Sequence, residues 1–334
     1  MRPRTPVVVA AALVALAIPL AACAGPAVGG APTAAATTTS AFRPVTVDNC
    51  GTTVTIAAPP RRVVTIKSTP TEMMLALGLG DRIVGEAYQD GPVPSRWASA
   101  AASIPVLSAT IPSQESVLAL APDFIYAGWE SNVSAAGGVG DRATLASRGI
   151  GTYVSPSACK EPAYQPNPLT FDDVFSEISE VGAVFGVPDR AAALVAQQKA
   201  ALAAITPVKG VTAFWWSSGN GTPYAGAGIG APQLIMSTAG VTNVLSGVHD
   251  TWTSAGWEEI VNANPDVLVL VDASWNTYDA KVKALESNPA LSQLTAVKEK
   301  RFVRLPFAST EAGVRNVEAA ASLAQQIRAL GLGG

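Results

Sequence analysis

Histidine occurs once in the 334 residues, as His249, cysteine three times and methionine four times. Serine hydrolase chemistry needs an activating base, usually histidine, and the chain has neither a second imidazole nor a G-x-S-x-G elbow, which speaks against an ordinary catalytic triad. A zinc or manganese cage normally gathers two or three histidines with carboxylates or thiolates. His249 stands beside Asp250 in an apparent loop with no second histidine, so no metal site, no cofactor and no catalytic residue is expected. There is no Walker loop, and Gly226-Ala-Gly228-Ile-Gly230 misses the dinucleotide fingerprint because its sixth position is Ala231. Its expected role is a turn whose backbone lies close to a ligand or to the next helix. Charge is also sparse, with 14% Asp, Glu, Lys and Arg and a net charge of -3. That mild acidity argues against nucleic acid or an anionic lipid surface as a partner.

What is present begins with Arg2 and Arg4, an apolar run from Pro6 to Leu20, and then Leu20-Ala21-Ala22-Cys23. Small residues before a cysteine read as a bacterial lipoprotein signal over residues 1–22, with lipidation at Cys23. A transmembrane span is the alternative, but the apolar stretch is shorter than the roughly 20 residues needed and no basic stop signal follows. Residues 23–44 read as a flexible linker, since Ala24 to Ala41 carry no charge and are mostly Ala, Gly, Pro, Thr and Ser. Two cysteines then remain, Cys50 and Cys159, an even number in an oxidising compartment. A disulfide between them is expected; two separate buried thiols are the other possibility.

The folded part repeats itself. Glu115-Ser-Val-Leu-Ala-Leu-Ala-Pro-Asp123 and Glu258-Glu-Ile-Val-Asn-Ala-Asn-Pro-Asp266 share a Glu, a short apolar helix and a Pro-Asp stop at the same spacing, each before an apolar strand. Met73 to Gly85 and Ile235 to Gly247 form a looser echo. The gaps between echoes differ, so the plan is duplicated without a fixed period. Val45 to Ile56 alternates as a hairpin. Arg62 to Ile66, Arg82 to Gly85, Ile104 to Leu107, Phe124 to Ala127 and Ile150 to Val154 then read as strands alternating with helices, the first of them Thr71 to Leu77 with Glu72 in its favourable first turn. Thr170 with Asp173 resembles a capping box before helical spacing from Phe171 to Phe185, and a second helix from Pro188 to about Ile205 would run roughly 27 Å at 1.5 Å per residue, as a strut across both lobes. The second lobe carries strands at Val211 to Trp216, Val267 to Val271 and Phe302 to Leu305, and helices at Pro232 to Ala239, Asp279 to Glu286 and Val314 to Leu330. The expected class is α/β, two Rossmann-like lobes over residues 45–168 and 208–334 joined by a helical backbone over 169–207, with a ligand cleft between the lobes.

Aromatic residues fall at the expected strand ends. Trp129 follows a strand in the first lobe, Trp215 and Trp216 end one in the second, and Trp275 follows another, while Tyr88, Tyr224, Trp252 and Phe307 sit in equivalent loops. They are candidates for clamping a flat or bulky molecule. Core packing is the competing role, and alternation along a strand implies that one of Trp215 and Trp216 faces inward. Trp97 and Trp257 read as structural. Charged residues near the same mouths are Lys67, Asp90, Glu130, Lys160 and Arg315. Lys67 precedes a helix N-terminus, a setting that suits an anionic group, and with Arg315 it is a candidate for the charge of an anionic ligand; a solvated surface lysine is the alternative.

These features together resemble the solute-binding lipoproteins of ABC importers for iron-siderophores and vitamin B12. The resemblance runs from Pro60 to Leu330 and rests on Arg62-Val-Val-Thr-Ile with Thr71-Glu72, on Gly78 and Arg82-Ile-Val-Gly85, and on the two Glu-to-Asp repeats. It implies a class III periplasmic-binding-protein fold in which two lobes on a rigid helical backbone close only slightly. It also implies that Glu115 and Glu258 dock onto arginines of the membrane subunits, and that Tyr88, Trp129, Trp216 and Trp252 lie near positions contacting a corrin ring. Trp215-Trp216-Ser217-Ser218, Trp129-Glu130-Ser131-Asn132 and Ser157-Ala158-Cys159-Lys160 look instead like an actinobacterial branch proposed to bind a deazaflavin coenzyme precursor. The expected partners are an ABC permease and ATPase and a small-molecule ligand, with the membrane reached through the lipid anchor only, no nucleic acid, and a monomeric chain. An enzyme and a purely structural surface lipoprotein are the rival classes.

Overall fold

The computed structural model describes residues 42–334 apart from Asn220; the signal segment, Cys23 and most of the linker lie outside the described residues. An antiparallel hairpin, β1 (Val45–Asn49) and β2 (Thr52–Ile56), comes first. The first lobe follows as β3 (Val63–Ile66), α1 (Ser68–Ala76), β4 (Ile83–Ala87), α2 (Ser95–Ala101), β5 (Val106–Ser108), α3 (Gln114–Leu118), β6 (Phe124–Ala127), α4 (Arg142–Ser147) and β7 (Gly151–Val154). Its strands are all parallel in the order β5-β4-β3-β6-β7. β3 and β6 are buried at every position, as expected of a parallel sheet covered on both faces. Chain order reverses between β3 and β6, so the crevice of this sheet opens where Lys67 and Trp129 follow their strands.

Helices α5 (Phe171–Val184) and α6 (Pro188–Ala203) come next. The capping box forms: the Thr170 hydroxyl accepts from the Asp173 N–H at 3.2 Å, and the Asp173 carboxylate accepts from the Thr170 N–H at 2.8 Å. α5 buries Val174, Phe175, Ile178 and Val181 in an apolar core that continues into Ala231, Leu234 and Val317 of the second lobe. α6 packs on α5 and on the final helix, contributing Ala191, its one fully buried residue, to that core and laying Leu194, Val195 and Leu202 against it.

The second lobe runs β8 (Val211–Ser218), β9 (Tyr224–Gly226), α7 (Ala231–Ala239), β10 (Val241–Asn243), β11 (Trp252–Ser254), α8 (Trp257–Ala263), β12 (Val267–Asp272), α9 (Tyr278–Ser287), α10 (Thr295–Lys298), β13 (Phe302–Pro306) and α11 (Asn316–Ala329). Its sheet is ordered β11-β9-β8-β12-β13, with β10 also paired to β8. β10, β12 and β13 join in parallel, whereas β9 and β11 are antiparallel additions at one edge.

Three expectations change here. Trp215 and Trp216 do point to opposite faces of β8, yet both are buried, in two different cores, because β8 is an interior strand covered on both sides. α1 begins at Ser68, so Glu72 is past the first turn, and it is buried against Arg315. Tyr224 and Trp252 lie on the short strands β9 and β11 and not in loops. The run from Gly226 to Gly230 is a place of close backbone approach: an added Cβ at Gly226 would stand 2.3 Å from Pro232 Cβ, and one at Gly228 the same distance from the Ser246 carbonyl oxygen.

Candidate functional site

The strand ends of both sheets converge on a cleft of about 470 Å³ between the lobes. From the first lobe it is walled by Thr69 at the start of α1, by Gly128 to Ser131 after β6, and by Ser155 to Lys160 after β7. From the second come Ser217 and Ser218 at the end of β8, Tyr224, Trp252, Trp275, Phe307 and Glu311. The first wall, and Ser217, Ser218, Trp275 and Phe307 of the second, sit at or after the C-terminal ends of parallel strands, where backbone groups and helix starts are free to face a ligand, while Tyr224 and Trp252 join them from the antiparallel strands β9 and β11.

Of the aromatic residues singled out in the sequence, Trp129, Tyr224, Trp252, Trp275 and Phe307 line this cleft. Tyr224 and Trp252 stack at 15° with centroids 6.1 Å apart, and Trp275 meets Phe307 edge-on at 5.2 Å. Tyr224 is 43% exposed and Trp275 47%, an unusual cost for large rings unless they are covered by something else. Tyr88 stands behind the wall, edge-on to Trp129 at 5.6 Å. Trp215 and Trp216 are absent from the lining because each ring is held in a core.

The charges are distributed differently from the sequence expectation. Lys67 is fully buried and paired with Asp90, itself 1% exposed, and its ammonium lies over the rings of Trp129 at 4.1 Å and Tyr88 at 4.3 Å. Arg315 donates to Glu72 at 3.1 Å and to Glu318 at 3.4 Å, away from the cleft. Neither cation is free to meet a ligand, since each neutralises a carboxylate that folding has brought to it. Among the described residues Lys160 is the cation that does line the cleft, and its main-chain N–H donates to a Glu130 carboxylate oxygen at 2.6 Å.

One functional candidate had no sequence signal. Glu311, in the loop after β13, lies on the cleft floor and accepts from the Trp129 indole N–H at 2.8 Å and from the Thr69 hydroxyl at 3.4 Å. A carboxyl contributed by the opposite lobe thus meets the Thr69 hydroxyl in the first turn of α1. Burial pushes that carboxyl up to about 7, opposed by the Lys67 charge and the two hydrogen bonds and reinforced by Asp90. Cys159 also lines the cleft and is disulfide-bonded to Cys50 in the β1–β2 turn. The Asn49 side chain completes the attachment: its amide N–H donates to the Val154 carbonyl and its oxygen accepts from the Val154 N–H, both at 2.8 Å, as a neighbouring strand would.

Glu115 and Glu258 are exposed in the first turns of α3 and α8. Among the described residues His249 is exposed and does not line the cleft, and no group of three or more His, Cys, Asp or Glu side chains is placed to hold a metal ion.

An uncharacterized ABC transporter substrate-binding lipoprotein of Bacillus subtilis (strain 168) is 27% identical over 328 residues, covering 95% of each chain. A periplasmic binding protein of Veillonella parvula superposes with a TM-score of 0.74 at 27% identity, covering 86% of this chain and 98% of its own. An ABC-type Fe3+-hydroxamate transport system protein of Saccharomonospora viridis gives 0.73 at 28%, covering 85% and 99%. The likeness extends through both lobes, and residues 63–308 match the periplasmic binding protein family, to which this chain belongs.

Proposed function

We propose that the protein is the extracytoplasmic, lipid-anchored substrate-binding component of an ABC importer, which captures a ring-bearing small molecule in the inter-lobe cleft and delivers it to the permease without covalent chemistry. The observation that carries this reading is the cleft itself, walled by five aromatic side chains at strand ends and supplied with few charges. The Bacillus relative carries the substrate-binding lipoprotein description and the Saccharomonospora relative that of an Fe3+-hydroxamate transport system. Rings stacked on the ligand would contribute about 0.5 to 1.5 kcal/mol per pair beyond area burial. Glu115 and Glu258, one exposed carboxylate on each lobe, would meet the permease; Cys23 would carry the lipid. An ATPase completes the importer, and the chain would work as a monomer.

The ligand classes that fit are a deazaflavin coenzyme precursor, a corrinoid and a ferric siderophore. Lys160 is accompanied on the lining by Glu130 and Glu311. A highly anionic tris-catecholate chelate would want a basic cluster, so it ranks below the other two classes and below a hydroxamate. Titration with cyanocobalamin, a ferric hydroxamate and a deazaflavin ribitol compound, followed by tryptophan fluorescence, tests the reading. One of the three is expected to quench and saturate; tight binding of a bare metal ion or an aliphatic sugar, with no response to any of the three, would overturn it.

A further inference from the structure

Two non-glycine residues with positive φ end adjacent strands of the first sheet: Lys67 after β3, at φ 82° and ψ 159°, and Tyr88 after β4, at φ 58°. Such backbone is uphill for residues with a Cβ, and surrounding structure must hold it in place. The third strand end, after β6, is Gly128, where an added Cβ would stand 2.7 Å from Lys67 Cβ. Three neighbouring strand ends thus accept unusual geometry or a missing side chain around one lysine.

What that geometry achieves is contact between the Lys67–Asp90 pair and the aromatic wall. The ammonium faces Trp129 and Tyr88 from its own lobe and Phe307 from the other, at 4.1, 4.3 and 5.1 Å from the ring centroids. Its counterion reaches across as well: Asp90 accepts from the Trp275 indole N–H at 3.4 Å through its carboxylate and from the Ser274 N–H at 3.0 Å through its carbonyl. Trp129, Trp275 and Phe307 line the cleft, whereas Lys67 and Asp90 do not. The ion pair therefore sits behind the wall and touches three of its rings, drawn from both lobes. Cation–π attraction and a charge-assisted hydrogen bond both depend on ring orientation, so each ring is referenced to the same buried point.

We infer that Lys67 is a positioning residue of the binding cleft: paired with Asp90, it fixes Trp129, Trp275 and Phe307 in the arrangement that a ligand meets, without touching the ligand. This builds on the binding role proposed above, but it concerns the empty protein and is tested there first. Lys67→Met alone would strand the Asp90 charge, so the informative variant is Lys67→Met with Asp90→Asn. Lys67→Arg serves as the second variant; it retains the charge pair but replaces a compact ammonium with a planar group that the rings must move to admit.

The full chain labelled with 5-fluorotryptophan gives one 19F resonance per tryptophan, assigned with single Trp→Phe variants. In both folded variants the Trp129 and Trp275 resonances are expected to shift or broaden while that of Trp97, which touches none of these groups, stays in place. Affinity for whichever of the three probes binds the parent protein is expected to fall at least tenfold. Unchanged Trp129 and Trp275 resonances in Lys67→Arg, or in the double variant with its circular dichroism intact, would overturn the inference and leave the pair a stability feature only. If no probe binds the parent protein, the ligand reading fails while the resonances still decide the role of Lys67.

Discussion

Trp129 of the first lobe donates its indole N–H to Glu311 of the second at 2.8 Å, on the floor of the cleft. The bond joins the lobes, orients a lining ring and leaves the carboxyl with one other donor, Thr69. Hydrogen bonds to charged groups contribute about 1.5 to 3 kcal/mol, and stranding the acceptor adds its desolvation.

Trp129→Phe is therefore expected to lower unfolding free energy by about 2 kcal/mol beyond the loss of packing, and Glu311→Gln, which retains an acceptor oxygen, by less. Urea unfolding of the parent, both single variants and the double variant forms a cycle with an expected coupling of about 1 kcal/mol. Additive effects would mean that the bond ties nothing together.

On the proposed docking role, removing Glu115 and Glu258 would separate binding from delivery. Both carboxylates are exposed at helix starts, where the helix dipole gives them only about 0.3 to 1 kcal/mol of local stabilisation. The double Ala variant is expected to keep its ligand affinity within twofold and to lose uptake in cells that depend on the importer. Normal uptake would remove these residues from the docking surface.

The parts of this fold that the sequence reveals are those fixed by local pattern. Apolar runs such as Val267 to Val271 match their strands closely, and Thr170 with Asp173 announces the start of α5. β9 and β11 do not announce themselves, since three-residue edge strands take their form from their partners. The aromatic wall was legible in part: strand ends in parallel sheets face the crevice, which places Trp129, Trp275 and Phe307, whereas Tyr224 and Trp252 reach it from the antiparallel edge strands β9 and β11. The charges were not. Whether Arg315 is free depends on Glu72, 243 residues away, and the fate of Lys67 depends on Asp90 across a strand crossover. Glu311 follows Ala-Ser-Thr and precedes Ala-Gly, and nothing in that small-residue run indicates that Trp129 waits opposite.

The disulfide closes a span of 109 residues from the β1–β2 turn to the cleft wall. The chain-entropy treatment gives about 4 to 5 kcal/mol for a loop of this size, an upper figure because measured values often fall short. Cys50→Ala with Cys159→Ala is expected to lower stability by about 2 to 4 kcal/mol and to raise hydrogen exchange at Ser155 to Lys160. Exchange confined to the hairpin would show that the cleft wall is held by other contacts, such as the Asn49 pairing with Val154.

Glu177 offers a pH dependence with a definite sign. It is buried on α5 beneath the first sheet, where the Tyr126 hydroxyl donates to it at 3.1 Å. Burial pushes its carboxyl up to about 7, against the hydrogen bond from Tyr126, and the Glu180 charge adds to the push. Below the ordinary value of 4.5 both folded and unfolded chains hold the proton and the group is neutral to stability. Between 4.5 and 7 the folded chain keeps a proton that the unfolded chain has released, so stability declines as pH rises, by about 1.4 kcal/mol per pH unit. Above 7 the deficit is complete, on the order of 3 kcal/mol. Glu177→Gln retains an acceptor for Tyr126 and cannot ionise, so it is expected to match the parent near pH 5, to exceed it in stability at pH 8, and to show a shallower decline between them. Glu72 and Glu311, whose carboxyls are also raised to about 7, keep some slope in the variant. Urea midpoints across pH 5 to 8 measure the difference, and parallel curves for the two proteins would mean that Glu177 titrates as an ordinary solvated glutamate.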